Sequence, residues 1–110
     1  MFPALEIFIT FRRIELQLNF NEQHKVALIS CLEVILMNKG NTKYNLLVAK
    51  LNSHYDCTIR DCYEHPEYLR VILKELHKED YDYIINEIKS QLDELVNEKD
   101  IANFFKIIES

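Results

Sequence analysis

Glycine and proline are scarce in this chain, and their scarcity limits what it can fold into. One Gly and two Pro occur among 110 residues. Antiparallel sandwiches and barrels need a turn about every 8 to 12 residues, and most such turns depend on Gly, Asn or Pro. Long helices joined by short connections need far fewer. The composition therefore predicts a mainly α fold.

Length and hydrophobic content indicate a single globular domain. Hydrophobic residues make up 48% of the chain and charged residues 28%, which is the balance of a folded domain with one core. No run approaches the roughly 18 consecutive apolar residues of a membrane span. Three cysteines are an odd number, and Glu6, Arg12 and Arg13 interrupt the apolar N-terminus. We therefore expect a cytoplasmic protein without a secretory signal.

Residues 1–20 form an apolar N-terminal segment whose structure the pattern leaves open. Residues 14–20 read IELQLNF, a strict alternation of apolar and polar residues that is typical of a half-buried strand. LEIFITF before it is nearly as strand-like, and Arg12 and Arg13 between the two runs supply no hairpin turn. One bulged strand, two short strands or an amphipathic helix all fit this segment.

Helical spacing of apolar residues begins at Asn21 and predicts a helical domain over residues 21–110, a bundle of four to five helices. Asn21 is the predicted N-cap of the first helix, which Asn38 and Gly40 end. Asn41 or Thr42 is the predicted cap of the second. The predicted buried stripes are Val26, Ile29, Leu32, Ile35 and Leu36 in the first helix, and Tyr44, Leu47, Val48 and Leu51 in the second.

Three further helices follow in the second half of the chain. Pro66 suits the first position of the third helix, and His65 before it is biased towards an extended conformation. Asp80 is the predicted cap of the fourth helix, and the fifth begins at Asp100. Their predicted stripes are Leu69, Ile72, Leu73 and Leu76; Tyr81, Ile84, Ile85, Ile88, Leu92 and Leu95; and Ile101, Phe104, Phe105 and Ile108.

The stretch HYDCTIRDCYEH contains four side chains that can bind zinc. His54, Cys57, Cys62 and His65 stand in the order H-x2-C-x4-C-x2-H. Structural zinc sites usually join two close pairs of ligands that a longer element brings together, and here all four fall within one short stretch. Helix ends explain both histidines, and burial as small apolar residues explains both cysteines. We therefore expect no metal site and no cofactor.

The residues from this loop onward resemble a known family. Residues 59–76 read IRDCYEHPEYLRVILKEL, and aliphatic residues follow at helical spacing from Tyr81 to Leu92. This pattern resembles the thaumarchaeal small helical "output domain" family of unknown function. In that family a helix is followed by a short loop and by an X-Pro helix start with an aromatic residue two positions later. The resemblance covers residues 26–95 and implies an archaeal, all-helical module for regulation or sensing, without catalytic residues. The residues that carry it are Pro66, Tyr68, Leu69, Leu73 and Leu76.

Charge is distributed unevenly along the chain, which limits nucleic-acid binding. Residues 1–53 carry six Lys or Arg against four Asp or Glu, and residues 54–110 carry seven against fourteen. The second half should therefore repel phosphate. A helix-turn-helix at NKGNT would place residues of the helix at 42–54 in a major groove, although the solvated face of an amphipathic helix explains them as well. These residues are Lys43, Asn45, Lys50 and Asn52.

Phenylalanine is confined to the two ends of the chain, at positions 2, 8, 11, 20, 104 and 105. Since Phe has no polar atom and needs a dry partner, we expect the two ends to contact each other within one subunit or across a dimer. An unpaired strand at residues 14–20 would also be a template for a second copy. The predicted dimer contact consists of Ile14, Leu16, Leu18, Phe20, Phe104 and Phe105. An N-terminal helix folded onto its own subunit is the alternative.

No residue pattern identifies a nucleophile, a general base or a cofactor site. Neither thiol has an assignable base with an orienting partner. The sequence therefore predicts a non-enzymatic regulatory or protein-protein interaction module, homodimeric, with an unidentified protein partner and no membrane contact. A DNA-binding helix-turn-helix protein is the first alternative, and a zinc-stabilised adaptor is the second.

Overall fold

The computed structural model describes the backbone of residues 20–110 and the side chains from Asn21 onward. Five α-helices follow one another: α1 (Phe20–Asn38), α2 (Asn41–Tyr55), α3 (Pro66–Leu76), α4 (Tyr81–Leu92) and α5 (Lys99–Ile108). Short 3-10 helices lie at Ile59–Tyr63 and Asp93–Asn97. The predicted mainly α bundle is confirmed over this range. The strand predicted at residues 14–20 lies outside the described residues.

Helix α1 is the central element of the bundle. It contacts α2, α4, α5 and the first 3-10 helix. Its buried residues cover more than half of its circumference, as expected for a helix with neighbours on several sides. They are Gln23, His24, Ala27, Leu28, Ile29, Cys31, Leu32, Ile35 and Leu36. Val26, which the pattern placed in the core, is only partly buried.

Gly40 makes the joint between α1 and α2. Its φ is 137° and it is the N-cap of α2, a conformation that only glycine adopts without strain. The backbone N–H of Tyr44 donates to its carbonyl at 3.1 Å. The prediction that Asn41 or Thr42 caps α2 is therefore wrong by one or two residues, because Gly40 already turns the chain. Asn21 is likewise inside α1 and does not cap it.

Hydrogen bonds between Thr58 and Asp61 fix the loop between α2 and α3. The backbone N–H of Thr58 donates to Asp61 Oδ2 at 2.9 Å, and the Thr58 hydroxyl donates to the same oxygen at 3.2 Å. The first of these bonds, together with the bond from the backbone N–H of Asp61 to the Thr58 side chain, makes the capping box of the 3-10 helix. The backbone bond to Thr58 is the largest cause that holds the pKa of Asp61 below its ordinary value. His65 is the N-cap and Pro66 the first residue of α3, as predicted.

Helices α4 and α5 begin near their predicted positions, and a residue with positive φ ends α4 before the predicted end of its stripe. Asp80 is the N-cap of α4, and α5 begins at Lys99, one residue before the predicted start. The fourth helix ends at Leu92 because Asp93, with φ 54°, redirects the backbone. Leu95, predicted on the α4 stripe, therefore lies in the second 3-10 helix and is only partly buried.

Most residues of the predicted stripes of α2 to α5 are buried. In α2 the exception is Val48, which is 36% exposed. Tyr44 and Leu76 are partly buried against the core. None of the helices in the described range is long and apolar enough to cross a membrane.

Phe104 and Phe105 lie in the core of a single chain. They are 2% and 3% exposed, and their rings meet edge to face with centroids 5.3 Å apart. Side chains buried in one subunit cannot also form the surface of a dimer contact, so the prediction that placed these two at a dimer seam is wrong in this respect. The rest of that predicted contact, Ile14, Leu16, Leu18 and Phe20, has no described side chain.

Candidate functional site

The four residues of the H-x2-C-x4-C-x2-H stretch do not converge on one point. Cys57 and Cys62 are buried, whereas His54 and His65 are exposed at the end of α2 and the start of α3. Within residues 20–110, no group of three or more His, Cys, Asp or Glu side chains is arranged to hold a metal ion. Burial raises the pKa of both thiols, and a thiol kept protonated is a poor nucleophile and a poor ligand.

Helix α2 does not present its four predicted DNA-contacting residues on one side. At about 100° per residue, Lys43 and Lys50 lie on one flank of its buried stripe. Asn45 and Asn52 lie on the other flank. Lys50 Nζ is also 3.0 Å from Glu75 Oε2 of α3. Because a recognition helix reads bases and phosphates from one exposed side, this arrangement does not match the predicted groove contact.

The outward side of α2 carries no charge. Six exposed residues form it, and we call them the α2 face: Thr42, Asn45, Leu46, Ala49, Asn52 and Ser53. Leu46 is 44% exposed. By contrast, the exposed residues of α5 include Lys99 and Lys106. Depletion of charge is a feature of the centre of protein interfaces, whereas surfaces that stay in water are rich in charge.

Two exposed aliphatic side chains flank the ion pair that joins α2 to α3. Leu46 lies one turn before Lys50, and Val71, which is 50% exposed, lies one turn before Glu75. Residues four apart on a helix are neighbours on its surface. Leu46 and Val71 therefore each lie beside one member of the Lys50–Glu75 pair.

A partly buried polar cluster that no sequence pattern indicated lies where α1, the first 3-10 helix and α5 meet. We call it the polar cluster: His24, Tyr63 and Asp100. His24 Nδ1 lies 2.8 Å and 3.0 Å from the two carboxylate oxygens of Asp100, and the Tyr63 hydroxyl donates to Asp100 Oδ2. Since 76 residues separate His24 from Asp100, no local spacing could have revealed the contact.

The charge state of the polar cluster follows from its hydrogen bonds. Burial on its own raises the pKa of Asp100, but the bonds from Tyr63 and His24 outweigh it and hold that pKa below its ordinary value. An ionised carboxylate can only accept, so His24 Nδ1 carries the proton and donates it. Burial, and next the bond to Asp100, raise the pKa of Tyr63. The cluster is therefore one anion held by two donors.

A cleft of about 440 Å³ lies beside the polar cluster. Its lining consists of Asn21, His24, Glu98, Lys99, Asp100 and Asn103. A histidine oriented by a carboxylate is a common general base, but a base must come within about 3 Å of the proton that it removes. The His24 side chain is only 2% exposed. The geometry is that of an internal link between helices and not of an open catalytic dyad.

Comparison with known protein families, with curated proteins and with solved structures found no match for this chain. The resemblance to the thaumarchaeal output domain family therefore stays a prediction from Pro66, Tyr68, Leu69, Leu73 and Leu76.

Proposed function

We propose that this chain is a non-enzymatic interaction module that binds a helix of a partner protein on its α2 face. The observation that carries the proposal is the uncharged, exposed outward side of α2 in a chain of which 28% is charged. A helix that stayed in water would gain solubility from charge on this side. Leu46 supplies the apolar anchor, and small side chains surround it.

The spacing on the α2 face suits a second helix. Thr42, Leu46, Ala49 and Ser53 are separated by four, three and four residues, which is the spacing of side chains along the seam between two paired helices. Ala49 lies directly opposite the buried stripe, and its small side chain lets another backbone approach closely. The partner should therefore offer an uncharged helix with a larger side chain opposite Ala49.

The size of the α2 face favours a reversible contact. With 15 residues, α2 is about 22 Å long, so a helix laid along it would cover on the order of 200 to 400 Å² of each partner. A stable complex buries roughly 800 Å² on each side. The contact is thus in the range of transient regulatory encounters, and α2 alone could not hold a stable homodimer. The dimer predicted through residues 14–20 stays a prediction.

The two alternative functions have less support. For DNA binding, Lys50 holds Glu75 at 3.0 Å and Lys43 lies on a different flank from the two asparagines. For catalysis, the buried His24 and the raised thiol pKa values offer no accessible base or nucleophile. For a zinc-stabilised adaptor, the two histidines are exposed and the two cysteines buried, and no three candidate ligands among the described residues are grouped to hold a metal ion.

Site-specific photo-crosslinking in the native cells tests the proposal. A photoreactive residue replaces Ala49 in one protein and Ala102, an exposed alanine on α5, in a matched control. The proposal predicts one dominant adduct from position 49 that position 102 does not give. An adduct with the mass of two copies would identify self-association instead. If both positions gave the same set of low-yield adducts, the α2 face would not be a specific binding surface.

A further inference from the structure

Three aromatic rings are stacked at the corner between α2 and α3. The rings of Tyr55 and Tyr68 are 4.2 Å apart at their centroids with an interplanar angle of 8°. The His65 ring lies 4.8 Å from the Tyr68 ring at 13°, so Tyr68 is the middle ring. We call Tyr55, Tyr68 and His65 the ring stack. The His65 side chain is 49% exposed, and both tyrosines are only partly buried.

The hydroxyl groups divide the tyrosines into two kinds. Tyr44 donates to Glu33 at 2.9 Å and Tyr81 donates to the carbonyl of Ile108 at 2.6 Å. The hydroxyls of Tyr55 and Tyr68 make no hydrogen bond to any residue in the range 21–110. A tyrosine that serves the fold normally uses its hydroxyl, whereas an interface tyrosine keeps a polar tip for its partner. Tyr55, Tyr68 and Tyr83 are of the second kind, but the ammonium group of Lys39 already lies over the Tyr83 ring.

The chain's own lysines cover other rings and leave the ring stack open. Lysine ammonium groups lie between 4.5 and 5.9 Å from the ring centroids of Tyr63, Tyr81, Tyr83 and Phe105. Among the described residues, no lysine or arginine lies over a ring of the stack. A cation that binds these rings must therefore come from outside the described part of the chain.

The surroundings of the ring stack favour a cation. Residues 54–67 contain four acids and a single basic residue, Arg60. Glu67 Oε2 is 3.2 Å from His65 Nδ1, and Asp61 is close enough for the charge of His65 to affect its pKa. Carboxylates beside exposed aromatic faces attract a positively charged group and disfavour phosphate. Among cations, a planar guanidinium stacks on a ring best.

We propose that the ring stack and the carboxylates beside it bind an arginine side chain in a basic segment of a partner protein. The guanidinium continues the stack on its open face and meets the carboxylates of Asp61 and Glu67 at its edge. This proposal uses other residues and another chemistry than the α2 face, and it holds whether or not that face binds a helix.

NMR titration of the full-length protein with a short peptide alternating arginine and glycine tests the proposal. Shifts should concentrate at Tyr55, His65 and Tyr68. Tyr68→Leu removes the middle ring that holds Tyr55 and His65 in the stack, and it should weaken binding about two- to fivefold, which is the size expected for loss of one exposed cation–π contact. The matched control is Tyr83→Leu, an exposed tyrosine on α4, which should bind as the unmodified protein does. A peptide with glutamate in place of arginine should not bind.

A second variant covers the case in which Tyr68→Leu loosens the fold. His65→Gln removes an exposed end ring whose side chain makes no capping bond, and it should also weaken peptide binding about two- to fivefold while the melting temperature stays the same. Equal affinities of His65→Gln, Tyr83→Leu and the unmodified protein would overturn the proposal, because they would show general attraction to an acidic surface. So would shifts spread evenly over the acidic second half, or no binding of the arginine peptide.

Discussion

The α2 face and the polar cluster are opposites in how they use polarity. In the polar cluster, His24 and Tyr63 donate to the carboxylate of Asp100, and the His24 side chain is 2% exposed. On the α2 face, six residues without charge are exposed to solvent. The polar cluster removes polar groups from water and pairs them with each other. The α2 face leaves uncharged side chains exposed to water.

This difference separates stability from binding. A partly buried, paired carboxylate ties α1 and α5 together, and its loss leaves two donors without an acceptor. The exposed side chains of the α2 face contribute little to the folded state, because exposed substitutions usually change stability by less than about 0.5 kcal/mol. Changes in the polar cluster should therefore lower the stability of the protein, and changes on the α2 face should leave its stability unchanged and abolish partner binding.

Removing the acceptor of the polar cluster should have the largest effect. We expect Asp100→Ala to lower the free energy of unfolding by about 1 to 3 kcal/mol, because the donors on His24 and Tyr63 would lose their partner. Urea unfolding followed by circular dichroism measures it. The control is Asp82→Ala in the first turn of α4, which should cost less than about 1 kcal/mol. Equal losses in the two variants would show that the cluster does not stabilise the fold.

A pH series sharpens the same contrast. Asp100→Asn keeps one acceptor oxygen and should cost about 1 to 2 kcal/mol at neutral pH. The folded pKa of Asp100 is below its ordinary value, so its contribution is present above the unfolded pKa of about 3.9 and is lost as pH falls through the folded pKa. The unfolding free energies of the two proteins should therefore converge on acidification below about pH 4. A constant difference from neutral to acidic pH would contradict an ionised Asp100.

The lysines at the edge of the α2 face should matter still less to the fold. Lys50 and Glu75 form an exposed ion pair, so Lys43→Glu with Lys50→Glu should change the unfolding free energy by about 1 kcal/mol or less. Affinity for duplex DNA should be poor at physiological salt before and after the change. A steep salt dependence of DNA binding that the double variant loses would favour the helix-turn-helix alternative.

Metal removal should have no effect on the fold. His54 and His65 are both exposed at helix ends, and His65 also stacks on Tyr68. Cys57 and Cys62 are buried in the loop. A strong chelator should therefore leave the helical circular dichroism unchanged. Native mass spectrometry of the purified protein supplies an independent reading. Stoichiometric zinc in that mass, or loss of helix with the chelator, would support a zinc-stabilised adaptor.

Local patterns in the sequence predicted the helices, and long-range contacts are what they missed. Pro66 predicted the start of α3 because its ring and missing N–H suit the first helical position. The cap of α2 was misplaced because Asn41 has a good capping side chain, while the backbone of Gly40 makes the turn without one. The contact between His24 and Asp100 depends on how α1 and α5 pack, and neither residue has a neighbour in sequence that indicates it.

The ring stack was also not predicted from the sequence, because the residues around it match a pattern of metal ligands. The sequence pattern indicates candidate metal ligands at His54, Cys57, Cys62 and His65. In the structure the two cysteines are buried and the His65 ring stacks on a tyrosine. The tyrosine that joins α2 to α3, Tyr68, could be placed on a helix from the sequence but not in a stack. Ring contacts of this kind depend on the crossing of two helices, which spacing alone does not determine.

A paired charge insertion tests most directly whether α2 binds a partner. Ala49→Glu places a charge at the centre of the α2 face, and Ala102→Glu places the same charge on the exposed side of α5. Both should unfold in urea within about 0.5 kcal/mol of the unmodified protein. When both variants carry a photoreactive residue at Ser53 and are crosslinked in their own cells, we predict that Ala49→Glu alone loses the partner adduct. An adduct that survives Ala49→Glu, or is lost equally in both variants, would contradict the α2 face as the binding surface.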